Sequence, residues 1–320
     1  MGVTPLISIC IPAYQRTEYL RRLLDSIEMQ TFRRFEVIIT DDSPGTELQN
    51  LVENHPLQSM IRYYKNQRTL GTPENWNEAF RKSTGDWIKI MHDDDWFSGP
   101  DSLYFFAEAV EKGRPAFYFS AYTNAFPDGH SKIIKPNFRH LKSMKQLPES
   151  LFASNRIGPP STVIFEKDSD LHFDNRMKWL VDIDFYIRYI KKHGAPEYIP
   201  KNLVKIGISE SQVTRSSFGK PDIEIPERFM LGEKLDAGAI HHIIVFDAWW
   251  RFIRNLSIRD VAQIKNSGYN GKIPDFILMI IRSQQKIPEP LLNKGVFSKI
   301  FMMFFYFKLR NSLKRPTLNA

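Results

Sequence analysis

Three consecutive aspartates, Asp93, Asp94 and Asp95, follow directly after an apolar run that has the pattern of a buried strand. In open α/β sheets, ligands bind beyond the carboxyl ends of the strands, so three carboxylates at such a position face a cleft. Their mutual repulsion is costly unless a cation offsets it, and ligands that are all oxygen favour Mg²⁺, Mn²⁺ or Ca²⁺ over Zn²⁺. The triplet predicts a cation site that also receives a diphosphate. The alternative is a solvated turn that caps the next helix.

Two other segments are candidates for holding a nucleotide. Asp42 follows Asp41 at the end of a second apolar run, and its carboxylate can accept hydrogen bonds from a nucleobase imide or from ribose hydroxyls. An ordinary aspartate turn is the alternative. Pro12, Ala13 and Tyr14 end the first apolar run, where they offer backbone groups and an aromatic face to a base, or mark only a turn.

A later acid is the candidate general base. Asp182 lies in the stretch Trp179-Leu-Val-Asp-Ile-Asp184, which opens an amphipathic helix. A carboxylate at a helix start is commonly only a cap. If the loop before the helix faces the sheet edge, however, Asp182 can remove a proton from an acceptor hydroxyl, and Asp184 is its rival for that role. Trp179 and Asp184 are also predicted to contact the acceptor.

The hydrophobic pattern predicts the elements that position these residues. Apolar runs alternate with amphipathic stretches through the first 125 residues, as in an α/β fold whose mainly parallel central sheet is flanked by helices. Thr72 and Pro73 predict a helix that begins at Pro73 with Thr72 as its N-cap. Residues 126–148 are basic and proline-punctuated, which predicts a long mobile loop, and with residues 157–161 they are candidates for acceptor contact. Strands are predicted at 6–11, 35–40, 61–64, 87–91, 116–122 and 161–165, and a helix at 182–192.

The last third of the chain has a mostly helical pattern, so we expect a transferase-type domain at 1–228 and a helical appendage at 229–320. Residues 296–309 are rich in phenylalanine and methionine and have basic flanks. This segment is shorter than the roughly 20 apolar residues that a membrane span needs. It suits peripheral contact with the cytoplasmic face of an inner membrane, and the alternative is a buried helix of the appendage.

Composition narrows the class of protein. The 320 residues carry a formal net charge of +8, which attracts polyanions in general. The single cysteine, Cys10, and the absence of a recognisable secretory signal predict a cytoplasmic location. The sequence has no Gly-x-x-x-x-Gly-Lys-Ser/Thr loop, no Gly-x-Gly-x-x-Gly fingerprint and no Gly-x-Ser-x-Gly elbow. No nucleic-acid motif accompanies the basic residues, so no nucleic-acid partner is expected.

Four motifs, taken in order, resemble those of the family 2 glycosyltransferases of GT-A fold. The resemblance covers roughly residues 5–215, and its specificity comes from the order and spacing of the motifs. The motifs are Ser8-Ile-Cys-Ile-Pro-Ala-Tyr14, Phe35-Glu-Val-Ile-Ile-Thr-Asp-Asp-Ser43, Asn75-Trp-Asn77 with Gly85-Asp-Trp-Ile88, and His92-Asp-Asp-Asp95.

The resemblance implies roles for single residues. Pro12, Tyr14 and Asp42 match nucleotide-binding positions, and Asn77 matches an asparagine between the base and metal loops. Asp182 matches the catalytic base.

The acidic motif departs from the family pattern. Aligned on Gly85, the family's Asp-x-Asp falls on His92, Asp93 and Asp94, so its first acid is a histidine here. Asp94 is then expected to bind the metal, and Asp93 to reach the ribose or the metal. The family's late histidine near the metal has no counterpart in residues 206–212.

The resemblance implies an inverting, metal-dependent glycosyltransferase that uses Mn²⁺ or Mg²⁺. Its donor would be a nucleotide diphosphate sugar, most commonly a UDP-sugar. Its acceptor would be a hydroxyl of a glycan or of a polyprenyl-linked lipid in cell-surface polysaccharide or lipopolysaccharide synthesis. Two alternatives stay open: a non-catalytic nucleotide-sugar-binding subunit of the same fold, favoured by His92, and a pyrophosphorylase, disfavoured because Tyr14-Gln-Arg-Thr replaces a glycine-rich loop.

Overall fold

A computed structural model, which describes residues 6–209 and 219–313, shows a mixed α/β fold. Its sheet has nine strands in the order β3-β2-β1-β4-β8-β6-β9-β5, with β7 paired to β6. The strands are β1 Ile7–Ala13, β2 Phe35–Asp41, β3 Ile61–Lys65, β4 Trp87–Ile90, β5 Trp96–Phe97, β6 Phe117–Ala125, β7 Ser131–Ile134, β8 Val163–Glu166 and β9 Glu197–Gly207.

Helices connect most of these strands and form the described part of the chain after β9. Short 3₁₀ helices span Gln58–Met60 and Pro160–Thr162. The α-helices are α1 Thr17–Glu28, α2 Glu47–Glu53, α3 Glu74–Lys82, α4 Ser102–Glu111, α5 Phe138–Gln146, α6 Ser150–Ala153, α7 Val181–His193, α8 Pro221–Glu233, α9 Ala237–Ile240, α10 Ile243–Asn255, α11 Val261–Asn266, α12 Asp275–Gln284, α13 Glu289–Leu292 and α14 Gly295–Leu313.

Parallel pairing brings the carboxyl ends of the first strands to one edge of the sheet. Ala13 of β1 is in register with Asp41 of β2, and Cys10 of β1 with Ile90 of β4. β2 and β3 are also parallel, as are β6 and β9, whereas the other four pairings are antiparallel. The predicted α/β class is confirmed, and its sheet is mixed. The chain therefore leaves β1, β2 and β4 side by side, beside the acids that follow β4.

The apolar runs form these strands because both faces of the sheet are covered by helices. On α1, the predicted helical face is fully buried: Leu20, Leu23, Leu24 and Ile27 all have no exposed surface. Burying each such side chain contributes roughly 1.5–3 kcal/mol relative to leaving it in water. This packing fixes the direction in which the chain leaves β1.

Two predictions of local structure are wrong. Residues 126–148 are not one long loop, because they contain β7 and α5. The turn at Asp128-Gly129 explains the strand: Gly129 has a positive φ of 86° and its N–H donates to Phe126 O, so β6 and β7 form a hairpin. The helix predicted to begin at Pro73 begins at Glu74, with Pro73 as its N-cap.

The chain divides into two compact units. The first comprises residues 1–148 and 156–212 and contains the sheet. The second comprises 149–155 and 213–320; in it, Trp249 and Trp250 of α10 are buried. The boundary predicted between residues 228 and 229 falls inside α8, and the division into functional domains stays a prediction. Among the described residues, no helix is both long enough and apolar enough to cross a membrane.

Candidate functional site

The acidic loop after β4 is packed into the protein. Met91 N donates to Cys10 O at 2.9 Å, which aligns the strand end with β1, and Asp95 N donates back to His92 O at 3.1 Å. Asp93, Asp94 and Asp95 are only 2%, 7% and 2% exposed. A solvated turn would leave these carboxylates in water, so that alternative is excluded.

Arg16 pairs with two of the three acids. Its Nη2 lies 2.6 Å from Asp93 Oδ1, and its Nη1 lies 3.1 Å from Asp94 Oδ2. The backbone N–H of Tyr14 also donates to the Asp93 carboxylate. Burial nevertheless raises the pKa of Asp93 to about 7, against the lowering effect of Arg16. Arg16 was not among the predicted site residues, although a cation three residues beyond the end of β1 was a signal that could have found it.

Asp95 and the loop backbone are held by more distant parts of the chain. Asp95 Oδ1 accepts the N–H of Gly207 at 3.1 Å, and the Ser161 hydroxyl also donates to this carboxylate. Burial and the neighbouring Asp94 raise the pKa of Asp95 well above its ordinary value. Arg22 Nη2 donates to the carbonyl oxygen of Asp94 at 2.7 Å. The loop is therefore fixed from α1, from β9 and from the 3₁₀ turn at Ser161.

His92 places an imidazole beside the acids. Its backbone N–H donates to Ser161 Oγ at 2.9 Å, and its ring lies 4.7 Å from that of Trp76. Its Nε2 atom is buried and has no hydrogen-bond partner in the described part of the chain. Burial lowers the pKa of His92 to about 4, so the ring is neutral at pH 7.

One ligand atom each from His92, Asp94 and Asp95 lies within 4.8 Å of the others, a donor set that fits a divalent cation. Asp93, which was also predicted to bind the metal, is outside this group and pairs with Arg16 instead. A second group, Asp25, Glu28 and His55, is accounted for within the fold: His55 Nε2 lies 3.2 Å from Asp25, and its Nδ1 accepts Leu57 N at 3.2 Å.

Asp42 lies at the end of β2, next to the end of β1. Its N–H donates to Ala13 O at 3.0 Å. Its carboxylate accepts hydrogen bonds from Asn66 Nδ2 at 2.7 Å, Leu70 N at 3.0 Å and Gly71 N at 2.8 Å. Asp42 thus organises the loop that follows β3, and nucleotide contact by Asp42 stays a prediction. Half-buried Pro12 and exposed Tyr14 end β1 beside this loop.

Asn75, and not the predicted Asn77, reaches the strand ends. Asn75 Nδ2 donates to Thr40 O at 3.1 Å, and Asn75 Oδ1 accepts from Asn66 at 2.9 Å. Asn77 is buried on the other side of α3. There Asn77 Nδ2 donates to Phe173 O at 2.9 Å, and Asn77 Oδ1 accepts a hydrogen bond from Phe173 N at 2.9 Å. Asn77 has a structural role, because these contacts occupy its amide.

The predicted base, Asp182, lies in the first turn of α7 and is half-buried. Burial, together with the charge of Asp182, raises the pKa of Tyr122 to about 12 and that of Tyr186 well above its ordinary value. The Tyr186 hydroxyl donates to Gly158 O at 3.1 Å, in the segment that continues to Ser161 and the acidic loop. Asp182 therefore belongs to the same compact unit as Asp95.

The two predicted acceptor residues differ. Asp184 is fully buried, and its Oδ2 accepts hydrogen bonds from Arg188 Nε at 2.9 Å and Nη2 at 2.7 Å. It is inaccessible to an acceptor, so that prediction is wrong. Trp179 is half-buried just before α7, and its contact with an acceptor stays a prediction. Of the predicted 157–161 stretch, Ile157 and Ser161 are buried.

Comparison with known proteins gives one family and one fold. The model of the family described as glycosyl transferase family 2 matches residues 8–172. The chain is 24% identical to an uncharacterized glycosyltransferase of Haemophilus influenzae over 60% of its own length and 65% of the relative's. It is 25% identical to AmsB, the amylovoran biosynthesis glycosyltransferase of Erwinia amylovora, over 57% of its own length and 62% of that relative's. The chain thus spans slightly less than two thirds of the length of these relatives.

The fold has a counterpart among solved structures. Residues 1–349 of Staphylococcus aureus TarS, solved in complex with UDP-GlcNAc, superpose with a TM-score of 0.63 at 17% identity. The match covers 96% of this chain and 90% of that one. At this identity the likeness shows the fold, which is the GT-A fold expected from the sequence.

Proposed function

The chain belongs to glycosyltransferase family 2, and from this premise we propose that it transfers a sugar, with inversion, from a nucleotide diphosphate donor to an acceptor hydroxyl. The observation that carries the proposal is the buried acidic loop, which stands beside the ends of β1 and β2 and is connected through Ser161 and Gly158 to the region of Asp182. On this proposal, the diphosphate lies at the acidic loop and Asp182 is the base.

In the proposed reaction, Asp182 takes the proton of the acceptor hydroxyl, and the acceptor oxygen forms a bond to the anomeric carbon of the donor sugar. The bond from that carbon to the diphosphate breaks, and the nucleoside diphosphate leaves with the electron pair. Inversion follows because the base and the leaving group act on opposite faces of the sugar ring. Tyr122 keeps its proton at neutral pH, so its hydroxyl can donate to Asp182 or to the acceptor.

Asp94 is the residue that we propose to anchor a divalent cation, Mn²⁺ or Mg²⁺, with Asp93 beside it. When bound, such a cation would stabilise the charge that develops on the departing diphosphate. Arg16 forms ion pairs with both carboxylates. The Arg16 guanidinium would also suit the donor's diphosphate, because phosphate and carboxylate fit the same planar donor fork.

The donor is proposed to be a UDP-sugar, since the TarS structure of the same fold contains UDP-GlcNAc. Pro12, Ala13, Tyr14 and Asp42 are proposed to hold its nucleoside. The acceptor is proposed to be a glycan or a polyprenyl-linked lipid in cell-surface polysaccharide synthesis, as supported by the likeness to AmsB.

A peripheral position on the cytoplasmic face of the inner membrane is proposed from α14. One face of this helix is packed: Phe305 lies against Trp250, and the Tyr306 hydroxyl donates to His241 O at 2.7 Å. The opposite face carries apolar side chains three and four residues apart, which we term the apolar stripe, and exposed Lys294 and Lys308 flank it. Apolar insertion with basic flanks suits an anionic lipid surface. The apolar stripe consists of Val296, Phe297, Ile300, Met303, Phe304 and Phe307.

A screen of nucleotide sugars tests the proposed activity. The full chain is incubated with each sugar, Mn²⁺ and a glycan or polyprenyl-phosphate acceptor, and nucleoside diphosphate release is measured with and without acceptor. We expect acceptor-dependent release with one donor, and product analysis should give the inverted anomer. Tight binding of nucleotide with no release under any condition would instead support the non-catalytic binding subunit.

A further inference from the structure

His92 adds an imidazole nitrogen to the carboxylate oxygens of the acidic loop. One of its ring nitrogens and single carboxylate oxygens of Asp94 and Asp95 all lie within 4.8 Å of one another. The Nε2 atom of the ring is buried and lacks a hydrogen-bond partner in the described ranges 6–209 and 219–313. A buried imidazole nitrogen without a hydrogen-bond partner destabilises the folded protein. Its position beside two carboxylates indicates that it binds a ligand.

The surroundings of His92 hold its ring in place. Trp76 packs against the ring with a centroid distance of 4.7 Å, and the His92 N–H is bonded to Ser161 Oγ at 2.9 Å. The same Ser161 hydroxyl donates to Asp95, so one residue positions both the histidine and a carboxylate.

We propose that His92 is a nitrogen ligand of the divalent cation held by Asp94 and Asp95, and that this site therefore prefers Mn²⁺ or Co²⁺ to Mg²⁺ and Ca²⁺. Imidazole is a good ligand for transition metals, whereas Mg²⁺ and Ca²⁺ take oxygen ligands almost exclusively. The inference rests on the proposed function, because it concerns the cation that would assist transfer, but it concerns the ligand set alone.

Pulsed electron paramagnetic resonance of Mn²⁺ bound to the full chain tests the ligand assignment without any sugar donor or acceptor. We expect a coupling of Mn²⁺ to ¹⁴N in the wild type. It should become a ¹⁵N coupling when the chain is labelled with ¹⁵N-histidine, a result that requires no substitution. Spectra with oxygen ligands only, or a nitrogen coupling that ignores the label, would overturn the proposal.

The variant His92→Asp supplies the second measurement, in which Mg²⁺ competes with Mn²⁺ for the site. This change restores an all-oxygen ligand set, so the ratio of Mn²⁺ to Mg²⁺ affinity should fall at least about tenfold and the nitrogen coupling should vanish. His130→Gln, at an exposed histidine of the β6-β7 turn, is the matched control and should keep both. An unchanged affinity ratio in His92→Asp contradicts the proposal.

The two hypotheses can fail separately. Acceptor-dependent sugar transfer together with oxygen-only Mn²⁺ spectra would leave the proposed function standing and assign His92 a packing role against Trp76. A nitrogen-coupled Mn²⁺ site with no transfer to any acceptor would confirm the ligand and refute the proposed activity.

Discussion

Gly207 lies so close to Asp94 that a Cβ atom added to the glycine would be 2.3 Å from the carbonyl oxygen of Asp94. The two residues are 113 positions apart in the chain, yet the last residue of β9 lies directly under the acidic loop. Gly207 N also donates to Asp95 at 3.1 Å. The position of the acids therefore depends on a residue whose side chain is a single hydrogen atom.

Gly207→Ala should displace the acidic loop, because the atom that the new methyl group meets is backbone and cannot rotate away. We expect a destabilisation of about 1–3 kcal/mol, as for other overpacked sites, and a loss of cation affinity and of transfer. Thermal unfolding, Mn²⁺ titration and nucleotide release measure the three effects. Gly99→Ala is the control, since no atom lies within 4 Å of its added Cβ. Equal behaviour of the two variants would show that the loop does not depend on Gly207.

Substitutions of Asp182 and Asp94 should have different effects on cation binding. Asp182→Asn should lower transfer about 10²- to 10⁴-fold, the range of general acid–base catalysis, while nucleotide and Mn²⁺ still bind. Asp94→Ala should lower both transfer and Mn²⁺ affinity. Circular dichroism melts check that both variants fold, and Asp170→Asn, at an exposed carboxylate, is the control. Ordinary turnover in Asp182→Asn would remove it from the proposed role.

Strands β1, β2 and β4 and the position of the acids after β4 were predictable from the sequence, because buried parallel strands carry an unbroken apolar pattern and end at one edge. The roles of single site residues were less predictable from the sequence. Arg16 and Asn75 act through contacts to residues distant in the chain, and the fold decides which residues these are. Asn77 was predicted to bind the nucleotide from the family resemblance. Its amide instead forms two hydrogen bonds with the backbone of Phe173, which lies 96 residues away in the chain.

The errors at 126–148 and at Asp184 have different physical origins. Basic and polar residues on one face of α5 hid its helical period, since a helix packed on one side needs only a narrow apolar stripe. At α7, Asp182 and Asp184 are both acids in the first helical turn. Only the three-dimensional position of Arg188 decides that Asp184 is the buried partner of an ion pair.

A buried lysine gives the protein a distinctive dependence of stability on pH. Burial lowers the pKa of Lys89 to about 7, from 10.5. Between these values the unfolded chain binds a proton that the folded chain lacks, so this residue makes stability rise with pH. Lys89→Met removes that dependence: the variant's free energy of unfolding relative to wild type should be most favourable near pH 6 and should decline towards pH 10. The full change is roughly 5 kcal/mol at most.

Urea unfolding in EDTA, at intervals between pH 6 and pH 10, measures the difference between Lys89→Met and wild type. Lys201→Met, at an exposed lysine of β9, serves as the control and should differ from wild type by a constant amount. If the Lys89→Met difference is also constant over this range, Lys89 keeps the same proton affinity in the folded and unfolded chains.

Replacing part of the apolar stripe should weaken attachment to anionic vesicles without unfolding the protein. Deleting the whole C-terminal segment is a poor test, because it would also remove Phe305 and Tyr306, which are packed against Trp250 and Phe246. Ile300 and Phe304 are both exposed, so Ile300→Gln with Phe304→Gln should change stability by only about 0.5 kcal/mol. Each loses roughly 1.5–3 kcal/mol of apolar transfer if the stripe inserts, so vesicle affinity should fall at least tenfold.

Sedimentation with phosphatidylglycerol vesicles at low and high salt measures this affinity. The exposed apolar side chain of Phe138 on α5 provides the matched control, because Phe138→Gln removes a phenylalanine of similar exposure from a helix outside the stripe. The control should sediment like the wild type, and the double variant should stay in the supernatant. Co-sedimentation of the double variant at the wild-type level would mean that α14 does not insert, and that basic charge alone accounts for any binding that high salt abolishes.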